Sequence, residues 1–119
     1  MVLRVPRPVK TNRDKVKLYV WEGLADGDTC DWLALGEYSD KTVHVEGTWA
    51  TATLSIEGSN MEGSGTFNIL NDPNGNAITK TASDFVEAIL ENTWKVRPSA
   101  ISGANAGTTA LNVWLMVKK

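Results

Sequence analysis

The feature that most constrains this chain is a two-residue rhythm of apolar and polar side chains, interrupted by a turn signal about every ten residues. Successive side chains of a strand point to opposite faces, so a strict alternation marks a strand with one face buried. Leu111, Val113, Leu115 and Val117 alternate with Asn112, Trp114, Met116 and Lys118. Val43 and Val45 alternate with Thr42, His44, Glu46 and Thr48, and Ala52, Leu54 and Ile56 with Thr51, Thr53, Ser55 and Glu57. A tight connection near Trp49 and Ala50 joins those two stretches. Further upstream, Val16, Leu18 and Val20 are expected to face the core, with Lys15, Lys17, Tyr19 and Trp21 turned away. Near the C-terminus Trp94, Val96 and Pro98 oppose Lys95 and Arg97, and Pro98, lacking an N–H, predicts an edge or a bulge.

Helical spacing competes only over Thr81–Asn92, where Phe85, Val86, Ile89 and Leu90 form a stripe behind a possible capping box, which predicts one or two turns. The remaining connections are loops by composition: Glu22–Asp31, Gly58–Gly65, Asn71–Asn76 and Ser102–Thr109. The expected fold is all-β, an antiparallel β-sandwich or jelly roll of seven to eight short strands over residues 15–119. A parallel sheet is not expected, because no segment supplies crossover helices. With 119 residues and 42% hydrophobic side chains, the chain suffices for one domain whose core needs no disulfide or metal.

Residues 1–14 show neither rhythm. Pro6 and Pro8 lie among Arg4, Arg7, Lys10 and Arg13, and an extended N-terminal arm is expected there, reaching across a neighbouring subunit. Six basic residues stand against Asp14 alone in residues 1–17, whereas six stand against thirteen acids in the rest. Glu22, Asp26, Asp28, Asp31, Glu37 and Asp40 fall in a stretch without a basic residue. Such a split suits a protein that meets its surroundings through two surfaces of opposite sign. The acidic body argues against nucleic acid as a partner, since a phosphate backbone would be repelled. No apolar run is long enough for a membrane-spanning helix, and the basic, proline-bearing start has no apolar signal core, which predicts a cytoplasmic site of synthesis and no membrane partner.

Catalytic chemistry finds little to rest on. His44 lies on the polar face of a predicted strand, where a surface histidine is the simpler reading than a general base. Cys30 sits among carboxylates that raise a thiol's pKa and suppress the thiolate. Asp72, Asn74 and Asn76 have the spacing of a calcium loop but lack its distal glutamate, and Pro73-Asn74-Gly75 is explained as a turn. Neither catalytic residue, cofactor nor metal is therefore expected. The five tryptophans carry more information. Trp94 is expected in the core. Trp21, Trp49 and Trp114 fall opposite their strands' aliphatic residues or at strand ends, and with Trp32 they are candidate contact residues alongside Arg4, Pro6, Arg7, Pro8, Lys10 and Arg13.

From Lys41 onward, the stretches Val43-His-Val-Glu-Gly-Thr48, Leu54-Ser-Ile-Glu-Gly-Ser-Asn60, Leu70-Asn-Asp-Pro-Asn-Gly-Asn-Ala77, Leu90-Glu-Asn92 and Val96-Arg-Pro98, with the final alternating strand, resemble small structural proteins of tailed bacteriophages. The likeness is greatest to capsid decoration, or cement, proteins and covers about two-thirds of the chain. It implies a jelly-roll domain of the virion, placed on the capsid exterior, that staples neighbouring major capsid protein subunits without catalysis and acts as a homo-oligomer, a dimer in the simplest case. A phage neck or tail structural protein and a carbohydrate-binding β-sandwich are the alternatives.

Overall fold

Each alternating stretch becomes a strand, and the strands form two antiparallel sheets that bury their apolar sides against one another. The structure is a computed structural model and describes residues 3–25, 28–63, 66–81, 83–99 and 109–119. In chain order the strands are β1 (Leu3–Arg4), β2 (Arg7–Val9), β3 (Val16–Leu24), β4 (Thr29–Cys30), β5 (Leu33–Ala34) and β6 (Asp40–Thr48). They continue with β7 (Thr53–Ser59), β8 (Asn68–Ile69), β9 (Thr79–Thr81), β10 (Phe85–Ala88), β11 (Lys95–Pro98) and β12 (Ala110–Lys118). The first sheet has the order β10-β6-β12-β3-β2, the second β5-β11-β7-β8, with β9 also paired to β7. The expected all-β sandwich is thus found. Its strands outnumber the seven or eight anticipated because β1, β4, β5 and β8 are two residues long, too short for alternation to register.

The first sheet sends Val43 and Val45 of β6 and Leu111, Val113, Leu115 and Val117 of β12 inward, and the second answers with Leu54 and Ile56 of β7 and Val96 of β11. None of these is more than 2% exposed, and burying each such side chain contributes about 1.5–3 kcal/mol. The turn Trp49–Ala52, closed by the Ala52 N–H donating to the Trp49 carbonyl at 2.9 Å, carries the chain from β6 in one sheet to β7 in the other. It is a corner between layers. At the next turn the Asp72 carboxylate accepts the N–H groups of Asn74 and Asn76, so the spacing that resembled a calcium loop serves to close a turn.

Several expectations are corrected. Thr81–Asn92 contributes β10 in place of a helical turn: Phe85 pairs with Val45 and packs inward, while Val86 pairs with His44 and faces out. Two adjacent apolar residues serving opposite faces imitate a helical stripe. The Asp84 carboxylate, the acidic residue of the Thr81-Ala-Ser-Asp84 stretch that resembles a capping box, accepts the Trp49 indole N–H at 2.8 Å. β3 is inverted relative to its aliphatic pattern. Pairing of Trp21 with Val113 and Tyr19 with Leu115 turns the aromatic residues inward, leaving Val16, Leu18 and Val20 on the outer face, where Val16 and Leu18 are half-buried and Val20 is fully buried as expected, though outside the inter-sheet cluster. An indole buries more apolar area than a valine, and the Trp21 N–H reaches the Asp31 carbonyl at 2.9 Å. Trp94 is 42% exposed instead of core. Pro98 sits in β11 beyond the last residue paired with β5, so its missing N–H falls on an unpaired stretch of edge. One short parallel pair does occur, β1 with β4, and the connection between them runs through β2 and β3, so no crossover helix is needed. The arm start Met1–Val2, Asp26 and the loop residues 102–108 lie outside the described residues.

Candidate functional site

Strand register brings the candidate site together on the outer face of the first sheet. Arg7 pairs with Val20, Val20 with Trp114, Trp114 with His44 and His44 with Val86, a row that crosses all five strands. A second row, two residues along, runs Val9, Leu18, Met116, Thr42 and Ala88. Leu18, Thr42, His44, Val86, Trp114 and Met116 line a shallow, open concavity of about 280 Å³. Val86 is 58% exposed and Met116 39%. Polar groups bound the rows: Lys118 and Asp40 at one end, Glu46 and Asn112 at the other, where the Asn112 amide donates to the Glu46 carboxylate at 2.7 Å. An apolar centre inside a polar rim is the anatomy of a protein–protein contact surface.

The outer face of the second sheet is different in kind. Arg97 donates to Glu57 at 3.1 Å and stacks 3.7 Å over the Phe67 ring. Lys95, fully buried, has its ammonium 4.4 Å from the Trp32 ring and 4.6 Å from the Trp94 ring and donates to the Gly63 carbonyl at 2.6 Å. The two indoles are tilted by 55°, and the space between them is filled by that lysine. This face satisfies its own polar groups.

The charge split of the sequence becomes a polarity along the first sheet. The β2–β3 hairpin carries Lys10, Arg13, Lys15 and Lys17 to the end where β12 closes on Lys118 and Lys119 follows it, an excess of positive charge over Asp14, over Asp40 opposite Lys118 and over Glu37, which pairs with Lys119 at 3.6 Å. A polar cleft of about 600 Å³ under that hairpin is lined by Lys10, Arg13, Lys17 and Tyr19. Glu22, Asp28, Asp31, Glu46 and Asp84 collect at the opposite end, where Arg4 and Arg7 neutralise Asp28 and Glu22 and leave a smaller negative excess. Within residues 3–14 the chain forms β1 and β2, and β2 is hydrogen-bonded as an edge strand of the first sheet. Arg4 meets the buried Asp28 carboxylate at 2.7 Å, and Arg7 meets the exposed Glu22 at 2.7 Å.

The sequence-derived contact residues therefore separate. Trp114, Arg7 and the flanking Pro8 belong to or border the rows. Lys10 and Arg13 are exposed at the basic end, half-buried Pro6 lies between β1 and β2, and half-buried Trp32 covers Lys95 on the other sheet. Trp21 and Trp49, at 1% and 6% exposure, are core residues and present no contact surface. Leu18, Thr42, Val86 and Met116 escaped the sequence reading as site residues. The alternation of β12 had already turned Met116 outward, but only strand pairing reveals that these residues align. His44 lies in the face, and no hydrogen bond or ion pair ties it to another side chain among the described residues. Cys30 is buried, and burial, with Asp28 adding to it, pushes its thiol up to about 12, as the surrounding acids had suggested. No group of three or more His, Cys, Asp or Glu side chains able to hold a metal ion occurs among the described residues.

No protein-family profile and no curated protein sequence matches the chain. Among solved structures, the fold is similar to that of the SPBc2 prophage-derived protein YomS, with a TM-score of 0.59 and 10% identity, over 92% of this chain and 100% of that one. A second similar structure is protein NMB1881 from Neisseria meningitidis, with a TM-score of 0.43 and 16% identity over 96% of this chain and 83% of that one. The agreement with YomS, over 92% of this chain and the whole of that one, establishes that this sandwich is a fold shared with a prophage-derived protein.

Proposed function

We propose that this chain is a non-enzymatic structural protein of a tailed-phage particle, which binds the outside of the head and cements neighbouring major capsid protein subunits. The observation that carries this reading is the fold likeness, over 92% of the chain, to a prophage-derived protein. The sequence resemblance to decoration proteins points the same way, and an apolar sheet face with a polar rim supplies a surface suited to protein contact. A domain that binds only the assembled lattice stabilises it by mass action. Contact with two subunits by one molecule raises avidity, provided the geometry lets both engage. The carbohydrate-binding alternative has less support, because Lys95 occupies the space between the paired indoles.

Co-sedimentation with expanded, undecorated heads and with isolated capsid subunits tests the proposal. Binding to heads and not to free subunits is expected, since stapling needs surfaces from more than one subunit. Equal affinity for free subunits contradicts cementing. Binding to purified necks or tails alone transfers the role there, and retention on glycan arrays replaces it with sugar recognition.

A further inference from the structure

We propose that the outer face of the β10-β6-β12-β3-β2 sheet docks against the same face of a second copy, with the strands of the two copies antiparallel. The inference deepens the proposed function by naming the surface and geometry of the homo-oligomer, but it is testable without any phage particle. Two sheets packed face to face around a two-fold axis require that axis to lie in the plane between them. An axis along the strands would set basic end on basic end. An axis across the strands sets Lys118 and the β2–β3 hairpin of one copy, whose basic residues outnumber Asp14 and Asp40, over Glu46 and the acidic end of the other. Charge complementarity selects the second arrangement.

That axis runs between the two rows, so the row containing Trp114 lies on the partner's row containing Met116. The rows are complementary in size at the β6 and β10 positions, where His44 and Val86 of one oppose Thr42 and Ala88 of the other. In the middle, Trp114 meets methionine, whose flexible thioether packs favourably on an aromatic ring. Strands spaced about 4.8 Å apart and rising about 3.4 Å per residue, with β3, β6 and β12 nine residues long and the edge strands β2 and β10 three and four, give a face of roughly 550 Å² per copy. Stable interfaces bury about 800 Å² per partner, so the dimer should be of micromolar strength and sensitive to salt.

Sedimentation equilibrium of the full chain is the first test. A concentration-dependent monomer–dimer equilibrium is expected, its dissociation constant rising at least about tenfold from low to high salt. A monomer at every concentration overturns the inference. The double variant Val86→Lys/Met116→Lys should be monomeric with an unchanged circular dichroism spectrum, since both side chains are exposed. A variant that still dimerises places the interface elsewhere, and a monomeric wild type whose head binding is lost in the variant assigns the face to a capsid subunit. Orientation is tested by mixing Trp114→Cys and Met116→Cys chains under oxidising conditions. Cross-links between unlike variants should exceed those between like variants severalfold. The reverse preference means parallel strands and contradicts the arrangement. If dimerisation fails while heads are still bound, the docking inference falls and the proposed function stands.

Discussion

Trp21 illustrates how much one side chain decides. It is 1% exposed, its indole N–H is satisfied by the Asp31 carbonyl, and it sits opposite Val113 in the ladder. Trp21→Ala leaves a large cavity and should cost about 3–5 kcal/mol, read as a lowered denaturation midpoint. Trp114→Ala, on the outer face, should cost far less. Cys30 yields a chemical prediction: with its thiol pushed up to about 12, alkylation of the native protein at pH 8 should be negligible and should follow unfolding. Rapid native labelling contradicts the burial. Glu91 governs the acid side. Burial pushes its pKa up, but the backbone and side-chain N–H donors of Asn71, at 2.7 and 2.6 Å, outweigh burial and hold it below its ordinary value. A carboxyl lowered on folding stabilises the folded state above its ordinary pKa near 4.5, and that contribution is lost as pH falls through the folded value. Glu91→Gln should therefore flatten the decline of stability below about pH 4.5, measured by thermal melts across pH.

Among the elements, β6 and β12 are joined most tightly at Gly47. Its φ is +138°, and a Cβ there would lie 2.2 Å from the Ala110 carbonyl oxygen of the neighbouring strand. The obstacle is backbone and cannot swing away, so Gly47→Ala should cost about 2 kcal/mol or more in chemical denaturation. The N-terminal segment is the second test at this scale. Residues 7–9 form the edge strand β2, and Arg4 ties β1 to the buried Asp28. Deleting residues 2–13 should lower the melting midpoint by several degrees, and an unchanged midpoint would show that the strand adds nothing to the sheet. β6 and β12 were legible in the sequence because each has one dry face and one wetter face, so alternation reported burial directly, and β7 was legible because its polar side, though Ser55 and Ser59 are buried there, still carries polar residues. β3 and β10 misled for one shared physical reason. Both faces of these strands carry apolar residues, so polarity no longer distinguishes inside from outside, and only cross-strand pairing assigns Trp21 and Phe85 to the core. The same limit hid the docking face, whose residues come from strands far apart in sequence and meet only through register.

At the scale of the whole molecule, the near-neutral net charge of −2 conceals a basic end and an acidic end separated by the length of the first sheet. Such polarity orients an approaching partner at low salt and is screened beyond about 10 Å at 0.1 M salt, so association by this protein should slow with ionic strength more than its small net charge suggests. Stopped-flow measurement against salt checks this. One sheet's outer face is held by the Arg97–Glu57 ion pair and by Lys95 between two indoles, whereas the other is apolar at its centre and open. The central claim, a cementing role on a phage head, is tested most directly by comparing cryo-electron microscopy maps of particles with and without this chain. Extra density outside the shell, bridging adjacent capsid subunits and fitted by the sandwich, is the predicted result. Density confined to the neck or tail, or maps without difference, would contradict it.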